Sequence, residues 1–220
     1  MTILIEAAVE SIDDALAAVH GGAHRLELCA SLDAGGTTPA RDVIQSVLAR
    51  VTLPVLVMIR PRAGDFVYSP TELDRMTEDI GTALALRAAG VVFGTLDARR
   101  RVDLAATRRL VAAAQGKPVT FHRAIDDTSD PLAAVDDVMS IGVTRVLSSG
   151  GAASALDGAE ALRAMVERAG ASLSIVAVGG VRAANVAELV RRSGVREVHT
   201  RCGGDAARIA AIAQSLAQLA

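Results

Sequence analysis

Residues 54–94, PVLVMIRPRAGDFVYSPTELDRMTEDIGTALALRAAGVVFG, hold the reading that decides the fold. An apolar run at 54–60 stops in two arginines around a proline, an amphipathic stretch opens at Ser69-Pro70, and a second apolar run follows Gly90 at 91–94. Proline does no harm in a first helical turn, where its missing N–H would have no partner. Ser69 with Glu72 three residues on has the form of a capping box. Strand, helix, strand in that order implies two parallel strands joined by a crossover helix.

The same unit repeats outward in both directions. Short β-branched runs near 3–8, 25–29, 54–60, 91–94, 118–123, 144–148, 173–178 and 196–200 are each followed by an Ala-rich amphipathic stretch. Gly22, Gly90, Gly142, Gly170 and Gly194 each stand where a helix ends and a strand soon begins, a place where glycine tolerates the left-handed cap. Thr38-Pro39 and Asp130-Pro131 read as further helix starts. No Ser/Pro-rich linker or shift of composition divides the chain, so residues 1–220 read as a single α/β domain, a (β/α)8 TIM-type barrel at the small end of its range. The rival is a doubly wound open sheet. Its dinucleotide-binding form is disfavoured because the first strand runs ILIEAAVESIDD into its helix without a Gly-rich turn for a pyrophosphate.

With 51% hydrophobic and 22% charged residues, and 23 basic against 25 acidic side chains, the chain has no electrostatic bias toward nucleic acid or anionic lipid. The longest uncharged run, Ala169 to Val181, is shorter than a bilayer span, and Glu6 interrupts any N-terminal apolar segment. The expectation is a cytoplasmic protein with neither nucleic-acid nor membrane partners. Cys29 and Cys202 lie far apart and match no zinc or disulfide framework.

Strand side chains alternate between faces, and in a barrel one face meets the helices while the other meets the axis. In LELC, Leu26 and Leu28 face the helices while Glu27 and Cys29 point inward; Met58 pairs with Arg60 and Thr120 with His122; Glu6 and His199 join from the first and last strands. Such a set is no packing filler, because an unpaired buried charge costs several kcal/mol. Two readings follow: a polar network that satisfies itself, or a site at the strand ends, where barrels carry their chemistry. Arg60, Arg62, Phe66 and Tyr68 on the loop after strand three would rim that mouth. Arg62 reads equally as a salt-bridge partner and the aromatic pair as a loop core. The turns Ser149-Gly150-Gly151, Gly179-Gly180 and Gly203-Gly204 expose backbone N–H groups suited to an anion, or are simply tight turns. A phosphorylated or carboxylated small molecule is the implied ligand class. For soft metals, Cys29 and Met58 could both face inward, although a lone inward cysteine is equally a small buried hydrophobe. Cys202 is expected to be partly exposed.

The stretches GGAHRLELCASLDAGGTTP, VMIRPRAGDFVYS, VVFGTLD, PVTFHRAID, RVLSSGGAASALDG and GGVRAANV together resemble the CutC family, known as copper homeostasis proteins, in order from about residue 6 to 200. The resemblance implies a cytosolic barrel, a homo-oligomer (dimer or tetramer), and Cu(I) as the bound ion with Cys29 as its ligand. Glu27, Cys29, Arg60, Arg62, Asp65, His122, Arg123, Ser149 and Gly150 fall in the family's motifs. The chain departs from the pattern at Ala8, where relatives often carry a cysteine, at Val178 of the usual triple glycine, and at Thr200-Arg201-Cys202. Three expectations result. The first is a Cu(I)-binding homeostasis protein. The second is an enzyme in which Glu27 or His122 moves a proton while Glu6, Arg60, Arg62, Arg123, Ser149, Gly150, Gly180 and His199 hold an anionic substrate. The third is a scaffold with a structural polar network.

Overall fold

Eight strands alternate with eight helices in a computed structural model that describes residues 2–219. The strands are β1 (Leu4–Val9), β2 (Arg25–Leu28), β3 (Val55–Met58), β4 (Gly90–Phe93), β5 (Val119–Phe121), β6 (Arg145–Ser148), β7 (Ser174–Ala177) and β8 (Glu197–Arg201). The helices that follow them are α1 (Ile12–His20), α2 (Arg41–Leu48), α3 (Pro70–Ala85), α4 (Leu104–Ala113), α5 (Pro131–Met139), α6 (Ala159–Ala169), α7 (Ala183–Ser193) and α8 (Ala206–Ala217). Every strand pairs in parallel with its sequence neighbours and β8 pairs back with β1, so the sheet closes into a barrel and the open-sheet alternative falls away. No helix among the described residues is long and apolar enough to cross a membrane.

The alternation within each strand builds two apolar layers. Leu26, Leu28, Val57, Val91, Phe93, Phe121 and Val146 face the helices in one continuous core, and Cys29, Leu56, Met58, Val92, Leu147 and Val176 form a smaller cluster inside the barrel. The capping box at Ser69 and Glu72 forms, and Asp130 accepts the first-turn N–H groups of α5. Thr38-Pro39 starts no helix. α2 begins at Arg41 behind Ala40 without a capping side chain, and the Thr38 hydroxyl instead accepts the backbone N–H of Arg60 at 2.9 Å, tying two loops of the barrel rim together.

Gly194 adopts the left-handed cap after α7, with φ 71°. Gly90 is there for another reason: it opens β4 itself, and a Cβ would lie 2.4 Å from the Pro118 carbonyl oxygen. Cys202 differs from expectation and is fully buried, because its amide bonds Ala8 and draws it beneath the end of β1. Burial, with Asp14 nearby, pushes its thiol up to about 11.

Candidate functional site at the barrel mouth

Register sets the polar core. Glu6 pairs with Arg25 on one side and His199 on the other, while Ala8 pairs with Glu27. All of these side chains turn to the axis, Ala8 at the cavity itself, and Arg25 bridges the carboxylates of Glu6 and Glu197. Ser174 donates to the second oxygen of Glu197 at 2.7 Å. The remaining oxygen of Glu6 meets Nδ1 of His199 at 2.8 Å, and that nitrogen lies 3.9 Å from Glu27 Oε2. Burial alone would raise Glu6, but the His199 hydrogen bond and the Arg25 charge outweigh it and hold the carboxyl near 2. Burial opposes charge on His199, yet the Glu27 and Glu6 carboxylates raise its pKa and favour the imidazolium.

Glu27 sits above this column. Its Oε1 accepts from the Cys29 thiol at 3.2 Å, while Oε2 has no hydrogen-bond partner among the described residues. Burial raises its pKa against the opposing pull of His199, and the Glu6 charge adds to the rise. Burial first, then the Glu27 charge, keeps the Cys29 group a thiol.

His122 lies just beyond β5 and caps the 3-10 turn Arg123–Asp127, its Nδ1 accepting the Ala124 N–H at 3.2 Å. Burial and then the neighbouring Arg60 charge lower its pKa to about 3, so the ring is neutral near pH 7 and its proton resides on Nε2. That Nε2 is also buried without a partner among the described residues. The ring is held by Phe66, whose centroid lies 4.8 Å away, and by Gly94, where a Cβ would stand 2.6 Å from Nδ1.

Glu27 and His122 line one cavity of about 360 Å³ at the C-terminal end of the barrel, together with Arg123, Gly180 and His199. Glu6 and Cys29 lie behind that lining, bonded to His199 and Glu27. Arg60 anchors the rim from behind: its guanidinium donates to the carbonyls of Ala34, Gly36 and Gly64 and covers Phe66. Three expected residues are elsewhere. Arg62 pairs with Glu72 and Asp65 and stacks on Tyr68 outside the cavity. Ser149 and Gly150 form a turn whose donors are already used, the Ser149 amide by the buried Asp126 carboxylate and the Gly150 amide by Ser148 Oγ. Arg123 joins this staple through Asp126 and Ser149.

Sequence reasoning missed Arg25, Glu197 and Arg145, although each stands two residues before an inward residue of its own strand, the signal that found Glu27 and His199. It also missed Arg182, Arg201 and Arg208, which join Arg123 around the cavity. Arg201 is paired with Asp33 and Glu10, whereas Arg182 and Arg208 make no ion pair among the described residues. The site therefore has an acidic floor, a neutral donor on one wall and a cationic rim. Such a set can transfer a proton and hold an anion.

Comparison with known proteins places this geometry in a family. Residues 3–204 match the CutC family. A CutC protein of Xanthomonas campestris pv. campestris is 45% identical over 203 residues, covering 92% of this chain and 85% of that protein. A CutC of Caulobacter vibrioides is 45% identical over 202 residues, covering 92% and 82%. The crystal structure of a CutC from Streptococcus agalactiae superposes with a TM-score of 0.85 at 35% identity, over 90% of this chain and 98% of that one. Thiamine phosphate pyrophosphorylase from Pyrococcus furiosus, at 15% identity and a TM-score of 0.67 over 99% and 96%, shares the fold alone. With a family match across nearly its whole length and relatives at 45% identity, the chain belongs to the CutC family.

Proposed function

We propose that the mouth is an acid–base site for a small anionic hydroxy-carbonyl compound. Glu27 takes a proton from the carbon beside the carbonyl, the electron pair moves into an enolate, and His122 Nε2–H donates to the enolate oxygen. The proton then returns from Glu27 to the former carbonyl carbon, while the hydroxyl proton passes to the oxygen that bore the enolate charge, so the carbonyl moves one carbon along. The observation that carries this reading is that Glu27 Oε2 and His122 Nε2, on two residues lining one cavity, are both buried without partners. Buried polar atoms are otherwise nearly always satisfied. A carboxyl raised by burial and a histidine kept neutral suit base and donor respectively, since a catalytic base works best with a pKa near the working pH. His199 and Glu6 brace Glu27 from below, and the cationic rim suits the anionic end of the ligand.

The test is solvent deuterium incorporation, followed by proton NMR, across carboxylated and phosphorylated hydroxy-carbonyl compounds. Exchange in the wild type that disappears in Glu27→Gln is expected. Exchange that survives in the variant, or its absence across the whole set, overturns the reading.

A second reading is Cu(I) binding, in keeping with the copper homeostasis name carried by the Streptococcus agalactiae relative. One observation favours it: a Cβ placed on Gly36 would lie 3.4 Å from both Cys29 Sγ and Met58 Cε, so a thiol and a thioether side chain flank a single point. Those are donors a soft ion prefers. Binding would have to displace the thiol proton against burial and the Glu27 charge, and Ala8 supplies no second thiol. Competition against a Cu(I) chelator decides: equal affinity in wild type and Cys29→Ser rejects Cys29 as the ligand.

A further inference from the structure

The proposed reaction leaves one side of the cavity without a role. The turn between β7 and α7 runs Val178-Gly179-Gly180-Val181-Arg182, with φ at 107° and 67° for the two glycines. The Gly180 carbonyl accepts from the Asn185 side chain and the Gly179 carbonyl from the Ala155 amide, so both oxygens are engaged by neighbouring donors. The amides of Gly180 and Val181, by contrast, have no partner among the described residues. At the start of α7 the Arg182 amide is taken by Asn185 Oδ1 at 2.9 Å, but no side chain accepts from the Ala183 or Ala184 amides among the described residues, whereas Asp205 caps α8 and Asp14 occupies the Gly204 amide. Arg182 and Arg208 reach the same cavity without a carboxylate partner among the described residues. A Cβ on Gly180 would meet only Ser154 Cβ, at 3.5 Å, so the backbone there is open to close approach. Two further polar atoms without partners, on the nine-tenths-buried Glu27 and His122, belong to the same cavity.

We propose that the β7–α7 turn is a phosphomonoester subsite: the Gly180 and Val181 amides and the α7 N-terminus bind phosphate oxygens while Arg182 and Arg208 neutralise the charge. This rests on the acid–base reading and narrows its substrate to phosphorylated hydroxy-carbonyl compounds. A dianionic tetrahedral group with several acceptor oxygens matches converging amides and two guanidiniums better than one carboxylate does.

Inorganic phosphate is the probe, titrated at constant ionic strength and followed by calorimetry and 31P NMR on wild type, Arg182→Ala, Arg208→Ala and Glu27→Gln. Saturable binding is expected, weakened about tenfold or more by each arginine substitution, because each removes a charge-assisted hydrogen bond. Both arginines are exposed, and melting curves verify that the variants fold. Glu27→Gln should bind phosphate as well as wild type does. Absence of binding, or binding indifferent to both arginines, overturns the subsite even if Glu27-dependent deuterium exchange is found with carboxylates. Phosphate binding without any exchange leaves the subsite standing and removes the acid–base reading instead.

Discussion

Replacing His122 by glutamine should flatten the acid limb of the stability curve by one proton. In the folded protein burial and Arg60 hold this imidazole to about 3, against 6.5 for an ordinary histidine. Between those values the unfolded chain binds a proton that the folded protein refuses, so stability falls as pH falls. The contribution is complete above pH 6.5 and declines by about 1.4 kcal/mol per pH unit below it. Carried down to pH 3, the loss approaches about 5 kcal/mol, an upper bound for a group only 4% exposed. Urea unfolding of wild type and His122→Gln between pH 7 and about pH 4.5, where a two-state transition persists, measures the difference in slope. Carboxylates common to both proteins cancel in that difference. Parallel curves would mean that His122 titrates as an ordinary histidine in the folded state, and that burial and Arg60 do not hold it neutral.

Three other outcomes are expected. Arg25→Met leaves Glu6 and Glu197 buried without their cation and should cost about 3–5 kcal/mol in urea unfolding, part of it recovered when Glu6→Gln is added. Gly94→Ala puts a methyl group 2.6 Å from His122 Nδ1; the displaced ring should abolish deuterium exchange while circular dichroism and phosphate binding persist. Arg182→Ala should leave Cu(I) affinity unchanged and Cys29→Ser should leave phosphate affinity unchanged, because Cys29 just follows β2 and Met58 ends β3 whereas Arg182 follows β7; chelator competition and calorimetry check the two arms.

The barrel was legible because most units carry local punctuation: a short apolar run, with a capped helix start or a glycine joint beside it. The inward set was legible at Glu6, Glu27 and His199 because alternation is a local rule. The same rule reaches Arg25 and Glu197, but both stand first in their strands, where a charged residue also reads as a solvated joint. What the rule cannot supply is where a long side chain ends. Arg60 lies at the expected place, yet its five-donor head turns back to carbonyls at Ala34, Gly36 and Gly64, whose need of partners depends on how two loops cross. Ser149 and Gly150 resemble an anion-binding turn for the same reason. Asp126, more than twenty residues earlier, already occupies the Ser149 and Gly151 amides that an anion would use.

The polar axis has a distribution that bears on the remaining alternative, a network that exists only to satisfy itself. Inside the barrel, β3, β4, β6 and β7 contribute Leu56, Val92, Leu147 and Val176, an apolar packing to which β6 adds the Arg145 guanidinium, bonded to Thr120 Oγ1 at 3.3 Å. Glu6, Arg25, Glu27, Glu197 and His199 all come from β8, β1 and β2, so one arc of the barrel carries the acidic and imidazole groups at mid-depth. Well-packed apolar residues can replace a buried ion pair at no loss of stability, and often with a gain. Stability alone therefore gives no reason to gather three buried carboxylates and a histidine on one arc of the interior. A self-contained network would also close on itself, with each oxygen and nitrogen matched, as Glu6 and Glu197 are. This one stops at Glu27 Oε2, which has no partner among the described residues where the column meets the cavity, as the proposed ligand position requires.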